Sequence, residues 1–287
     1  MPELPEVETI KRELAGRIEG EKIERVIIPP DPRGSRVIRR YPSRQKFFRR
    51  LAGRKIVSVG RRAKYLLFNL DDGRILILHL GMSGQLLFRP DDGPLFSHTR
   101  LIIRFASGAE LCFVDPRKFG EAYLFSEAEE DTRVNPFALG PEPLDCGYTA
   151  EQLGKSLRGR RGPIKAVLLD QKVVAGLGNI YTDEALYRSE IHPLRLALTL
   201  KKKEIERLLA SIQEVLREAI HCRGTSAADR QYVTTAGTLG SFQERLDVYQ
   251  RPNLPCPRCG ALVSTARIAG RTAHFCPECQ VEEAVRQ

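Results

Sequence analysis

The chain has no apolar run near the ~18 residues that a membrane-spanning helix needs. Its first residues, Met1-Pro2-Glu3-Leu4-Pro5-Glu6, hold neither a basic nor an apolar segment, so they do not read as a secretory signal, and the expected location is the cytoplasm. No internal repeat is visible. At 287 residues, 42% hydrophobic and 29% charged, the composition excludes a disordered chain, a collagen and a disulfide-rich miniprotein. Acid is missing where it matters most. Between Arg36 and Lys64 there are twelve Lys or Arg (Arg36, Arg39, Arg40, Arg44, Lys46, Arg49, Arg50, Arg54, Lys55, Arg61, Arg62 and Lys64) and no Asp or Glu. A solvated face normally mixes signs. A window of one sign repels itself unless an anion lies against it. With the formal net charge of +10, this points first to a polyanion, nucleic acid before a membrane surface. A second basic cluster is Lys155, Arg158, Arg160, Arg161 and Lys165.

What is present is equally informative. Of seven cysteines, Cys256, Cys259, Cys276 and Cys279 form C-x2-C-x16-C-x2-C. Two thiolate pairs brought together by a hairpin suit tetrahedral zinc. Two disulfides are the other reading, and the missing export signal argues against them. Cys112, Cys146 and Cys222 are expected to be small buried apolar residues.

The pattern predicts a helix over residues 5–20, with Val7, Ile10, Leu14 and Ile18 on one face and Gly20 ending it. Residues 22–125 read mostly as short strands, at Lys55–Val59, Lys64–Leu70, Arg74–Leu80, Gln85–Phe88, Arg100–Phe105, Glu110–Val114 and Glu121–Phe125. Turn signals such as Asp91-Asp92-Gly93-Pro94 separate them, and the spacing suggests a sandwich or a barrel. Residues 135–148 read as a linker and 149–222 as helical, opened by a Thr149/Gln152 capping box and closed by an amphipathic Glu204–Ile220. A shorter helix is expected over Tyr181–Ser189, just after Asn179. Residues 223–242 are polar and glycine-rich, a loop long enough to be functional. Leu262–Ile268 and Thr272–Phe275 read as the strands of the zinc hairpin, with Ala269-Gly270-Arg271 as its turn.

Pro2 follows the initiator methionine, whose removal would expose a secondary amine. An α-amino group titrates near about pH 8, so part of it is unprotonated and nucleophilic at neutral pH. Its attack on an aldehyde carbon gives an iminium ion, an electron sink, and the adjacent Glu3 can move the proton.

The segment Pro2-Glu3-Leu4-Pro5-Glu6-Val7-Glu8-Thr9 resembles the opening of bacterial formamidopyrimidine-DNA glycosylases, and further motifs follow in that family's order. They are Arg61-Arg62-Ala63-Lys64-Tyr65-Leu66, His79-Leu80-Gly81-Met82-Ser83-Gly84, Asp115-Pro116-Arg117-Lys118-Phe119-Gly120 and Val174-Ala175-Gly176-Leu177-Gly178-Asn179-Ile180-Tyr181, then the four-cysteine spacing. The resemblance spans residues 2–280. It implies a multidomain α+β protein: an N-terminal β-sandwich with an N-terminal helix (1–134), a linker (135–148), a helix–two-turn–helix domain (149–242) with a lesion-capping loop (223–242), and a β-hairpin zinc finger (243–287). It also implies a monomer that binds double-stranded DNA, excises 8-oxoguanine and formamidopyrimidines, and cleaves the strand at the abasic site.

The resemblance further implies residue roles. Pro2 is the nucleophile and Glu3 its proton partner. Met82, Arg117 and Phe119 fill the gap left by the flipped base, types suited to plug, hydrogen-bond and wedge. Lys64, His79, Asn179 and Arg271 hold backbone phosphates, Lys64 and Arg271 closest to the chemistry. Tyr232 belongs to the loop over the flipped base. The four cysteines hold one structural zinc ion, with no catalytic metal or organic cofactor. Thr272-Ala273 departs from the Gly or Ser that many members have after Arg271. Three other readings fit less well. Endonuclease VIII-type enzymes, specific for oxidised pyrimidines, have a glycine in place of Leu4 and lack the Arg117/Phe119 turn. N-terminal-proline tautomerases are short and have no zinc finger. A zinc-ribbon regulator has no use for Pro2-Glu3.

Overall fold

The computed structural model describes residues 1–30, 36–39, 43–91, 93–126, 136–226 and 231–282. The expectations that involve Arg40, Asp92, residues 127–135, residues 227–230 and the chain beyond 282 lie outside the described residues. The chain forms two compact units, Met1–Phe137 with Ile220–Gln243, and Ala138–Ala219 with Glu244–Gln287. Among the described residues no helix is long and apolar enough to cross a membrane.

The first unit starts with α1 (Leu4–Ile18), followed by β1 (Ile23–Ile27), α2 (Arg44–Leu51), β2 (Ile56–Arg62), β3 (Tyr65–Leu70), β4 (Ile75–His79), β5 (Gln85–Arg89), β6 (Thr99–Phe105), β7 (Glu110–Val114) and β8 (Glu121–Phe125). The strands form two antiparallel four-stranded sheets, ordered β1-β6-β7-β5 and β2-β3-β4-β8. This decides for a sandwich over a barrel. Strand alternation sorts the side chains. Leu66, Phe68 and Leu70 enter the shared core with Leu101, Ile103, Leu111 and Phe113, whereas Leu67 joins Ile77, Tyr123 and Phe125 on the other face of its sheet. The α1 stripe of Val7, Ile10, Leu14 and Ile18 is fully buried in that same core.

The sequence reading changes in three places. The basic window is not all strand: α2 lies inside it, capped by the Ser43 side chain and buried through Phe47 and Leu51, one turn apart. Cationic side chains around a two-residue apolar anchor hide the helical period. Part of the window is also neutralised by acids from elsewhere in the unit. Arg61 pairs with Glu8, Arg39 with Glu121, and Arg54 with Asp71 and Asp72. Of the three remaining cysteines, Cys112 and Cys222 are buried as expected, but Cys146 is exposed, in a Pro/Gly-rich turn segment that offers it no apolar cover.

The second unit holds α3 (Ala150–Leu157), α4 (Ile164–Leu168), α5 (Asn179–Arg188), most of α6 (Lys202–His221), and the hairpin β9 (Ser264–Ile268) and β10 (Arg271–Phe275). The Thr149/Gln152 capping box opens α3: Gln152 Oε1 accepts the Thr149 N–H at 2.8 Å, and Thr149 Oγ1 accepts the Gln152 N–H at 3.3 Å. The segment 223–242, read from sequence with the helical domain, is grouped instead with the first unit.

The buried stripe of α1 predicts a stability effect. Leu14→Ala leaves a cavity in the sandwich core and is expected to lower unfolding free energy by about 2–5 kcal/mol, read as a reduced urea midpoint at unchanged m-value.

Candidate functional site

The site residues divide between the units. The first carries Pro2, Glu3, Lys64, His79, Met82, Arg117, Phe119 and Tyr232, and the second carries Asn179, Arg271 and the four cysteines. Met1 is exposed, while Pro2 and Glu3 are buried. A reciprocal capping box fixes the start of α1: the Glu3 side chain accepts the Glu6 N–H, and Glu6 Oε2 accepts the Glu3 N–H at 2.8 Å. Glu6 Oε1 also accepts the Thr225 N–H at 2.8 Å. Further along α1, Glu8 accepts Arg12 Nε at 2.8 Å and Arg61 Nε at 2.9 Å. Burial opposes the charge on Glu8, but the hydrogen bonds and positive charges of Arg61 and Arg12 outweigh it, and its carboxyl lies below the usual range. Arg61 donates on to the Ala63 carbonyl at 3.1 Å. Ala63, at φ +52°, makes the β2–β3 turn that sets the buried Lys64. Next in the chain, Tyr65 pairs with His79 across β3 and β4, with ring centroids 4.7 Å apart.

The turns bearing Met82 and Phe119 are built as one piece. The Gly81 N–H donates to His79 Nδ1 at 3.2 Å. Gly81 has φ +64°, and a Cβ there would lie 2.6 Å from the Phe119 carbonyl carbon, so only glycine allows the turns to meet. Beneath them lies the buried Asp115. Its Oδ1 accepts Ser83 Oγ at 2.6 Å and the Arg117 N–H at 3.2 Å, and its Oδ2 accepts the Gly120 N–H at 2.7 Å. Above it, Met82 is 39% and Phe119 47% exposed, with the Arg117 guanidinium 5.2 Å from the Phe119 ring centre. Large apolar side chains held out on a rigid base are not core packing.

Tyr232, read from the sequence as part of a loop over the flipped base, packs within the first unit. It is buried in the sandwich core, and its hydroxyl donates to the Arg223 carbonyl at 3.0 Å. Burial, then the nearby Glu6 charge, push its phenol well above the usual range. An aromatic ring with room in the core gains more there than in solvent. The segment around it is tied to α1. Glu13 pairs with Arg223 and accepts the Thr235 N–H and hydroxyl at 2.8 and 2.7 Å, and Ser226 Oγ donates to the Tyr232 carbonyl at 2.8 Å.

In the second unit Asn179 is the first residue of α5, not the residue before it, and Gly178 is the N-cap. The Asn179 side chain therefore does not cap its own helix. Its Nδ2 donates to the Thr272 carbonyl at 3.0 Å. Lys165 Nζ donates to the same carbonyl at 2.8 Å and pairs with Asp183 at 2.5 Å. Asp183 Oδ2 accepts the His274 N–H at 3.0 Å. Arg271 is exposed and opens β10, opposite Ile268; the turn proper is Ala269-Gly270, with φ +47° and +75°. Two left-handed residues make the tight two-residue hairpin turn. Lys165, counted above among the basic residues open to a polyanion, is thus fully buried and engaged within the unit.

The four cysteine sulfurs lie within 4.8 Å of one another. Cys256–Cys279 and Cys259–Cys276 are 3.8 and 3.4 Å apart, too long for disulfides and near the about 3.8 Å edge that Zn–S bonds of about 2.3 Å give a tetrahedron. The residues fit a structural zinc ion.

Sequence reasoning missed the residues beneath the site: Glu6, Glu13, Ser83, Asp115 and Asp183. Asp115-Pro116 carried a local signal, since an Asp accepting the N–H two residues on is an Asx turn. Glu6, three residues after Glu3, carried the spacing of a capping box. Glu13, Ser83 and Asp183 act across long stretches of chain and left none.

Three family models match the chain: the formamidopyrimidine-DNA glycosylase N-terminal domain over residues 1–122, its H2TH domain over 139–231, and the zinc finger found in FPG and IleRS over 253–281. The formamidopyrimidine-DNA glycosylase of Bacillus licheniformis is 43% identical, with 98% of this chain and 99% of the relative aligned. That of Moorella thermoacetica is 47% identical over 93% and 95%. Among solved structures, MutM (Fpg) from Thermus thermophilus superposes with a TM-score of 0.85 at 40% identity, covering 98% of this chain and 100% of that one. Lactococcus lactis Fpg in complex with a Fapy-dG containing DNA gives 0.85 at 37% identity, with the same coverage. A sandwich with a buried Pro2 at its start, an H2TH helical unit and a four-cysteine hairpin define a zinc-finger DNA-repair glycosylase. The chain belongs to the bacterial formamidopyrimidine-DNA glycosylase (Fpg/MutM) family.

The Asp115 arrangement predicts that Asp115→Asn, which turns an amide N–H toward an N–H donor, lowers stability by about 1.5–3 kcal/mol. It is also expected to weaken binding to a duplex with an abasic site more than to an undamaged duplex. Equal loss on both duplexes, in titrations at matched salt, would reject a wedge-specific role.

Proposed function

We propose that Pro2, once Met1 is removed, is the nucleophile of a bifunctional glycosylase and abasic-site lyase that excises oxidised purines from duplex DNA. The observation that carries this is the buried chain start, where Glu6 holds the Glu3 N–H at 2.8 Å beside Pro2, while Met1 stays open to removal. A nucleophile placed by two fixed neighbours loses little freedom on reaching its target.

The target base must leave the stack, and Met82, Arg117 and Phe119 fill the space it vacates. The Pro2 nitrogen lone pair then bonds to sugar C1′ and the C1′–base bond breaks, its electron pair leaving with the base, which takes up the proton released from the amine. Glu3 protonates the ring oxygen as the sugar opens to the iminium ion. The iminium draws electrons from C2′, whose proton is lost as the 3′ phosphate departs. A second elimination expels the 5′ phosphate and leaves a one-nucleotide gap. Lys64, His79, Asn179 and Arg271 hold the flanking phosphates. The four cysteines hold the zinc that stiffens the hairpin bearing Arg271. Tyr232, buried against α1, anchors the segment that forms the loop over the flipped base. The protein acts as a monomer in the cytoplasm, on nucleoid DNA.

Borohydride reduction is expected to trap a covalent complex with DNA containing 8-oxoguanine opposite cytosine, and Pro2→Gly to abolish trapping. Binding without trapping in the parent protein would overturn the nucleophile. Glu3→Gln is expected to lose base excision while keeping part of the lyase activity on a preformed abasic site; undiminished excision would reject its role. Comparing 8-oxoguanine with thymine glycol separates this reading from a pyrimidine-specific one.

A further inference from the structure

One face of α5 runs along the zinc hairpin. Asn179 and Asp183 meet β10, as described; one turn further, Tyr187 meets the metal cluster itself. Its ring is buried and its hydroxyl lies 3.2 Å from Cys256 Sγ. The Arg258 guanidinium sits 4.8 Å from the centre of that ring and pairs at 2.8 Å with Glu190, three residues beyond Tyr187. The Arg258 backbone N–H closes the loop, donating to the same sulfur at 3.4 Å.

We propose that Tyr187 is a positioning residue for the metal: its hydroxyl donates a hydrogen bond to the zinc-bound thiolate of Cys256 and so sets how tightly the finger holds zinc. The direction of donation follows from the chemistry. A cysteine that ligates zinc has lost its proton, so the phenol supplies the only hydrogen between the two atoms. The hydroxyl is also committed. It is buried, and Cys256 Sγ is its only partner among the described residues. A phenylalanine would pack the same ring on the same Arg258 and leave the sulfur with one donor fewer. Outer-shell donors orient a ligand and draw charge from it, which favours metal retention. The bond also joins the zinc cluster to the helix whose first residue, Asn179, holds the Thr272 carbonyl beside Arg271.

Tyr187→Phe in the full-length zinc protein tests this. Competition with a chromogenic chelator is expected to show zinc affinity weakened about ten- to a hundred-fold. In the cobalt(II)-substituted protein, the thiolate-to-metal charge-transfer band is expected to move to lower energy, because the unbonded sulfur lone pair lies higher. Glu190→Gln breaks the ion pair with Arg258 but leaves the sulfur bonded, and is expected to change neither reading. A Tyr187→Phe protein with parental affinity and spectrum overturns the proposal. Equal weakening in both variants also overturns it, since that would mean a looser hairpin and not a lost bond to sulfur.

Discussion

The carboxylate of Glu6 is the contact on which the start of the chain depends. It is buried in the first turn of α1 and accepts two backbone N–H groups, one from Glu3 and one from Thr225. A buried carboxyl group is tolerable only when its lone pairs are satisfied, and these two donors are main chain. The start of the chain and the segment after α6 are therefore held by a single group. Gly224 shows how closely. At φ +85° it passes so near that a Cβ would lie 2.9 Å from Glu6 Oε1 and 2.8 Å from the Tyr232 ring. Any larger residue would push apart the helix and the segment that Glu6 joins.

The second unit solves a similar problem with an ion pair. Lys165 and Asp183 are both fully buried, and each also bonds to β10, at the Thr272 carbonyl and the His274 N–H. Such pairs add little net stability over an apolar pair but are poorly tolerant of any other geometry. What they specify here is the register of a hairpin, and with it the place of Arg271. Zinc holds the far end of the same hairpin. The tip that carries Arg271 is thus fixed by polar contacts on one side and by a metal cluster on the other.

Much of this was legible in the sequence, for physical reasons that differ by element. The α1 stripe and the alternation in β3, β6 and β7 reflect burial, which writes its period into the chain. The four cysteines reflect a coordination geometry with strict spacing. The α2 helix was not legible because its apolar anchor is two residues among cations. The burial of Tyr232 was not legible either, since an aromatic residue in a polar loop reads the same whether it faces a ligand or a core. The start of α5 was placed two residues late, at Tyr181 instead of Asn179, because Gly178 caps the helix with no side chain to announce it. Contacts between distant stretches of chain, such as Asp115 with Ser83 or Glu13 with Arg223, have no local pattern at all.

The exposed Met82 side chain has a chemical liability of its own. The chain has two methionines, so removal of Met1 leaves Met82 as its only thioether, and it is 39% open to solvent. The oxidants that damage guanine also convert a thioether to its sulfoxide, turning a flexible apolar plug into a polar, chiral one. Entry into a base stack then requires desolvating an S=O dipole. In the role proposed for Met82, this side chain is open to the same class of damage that produces oxidised bases.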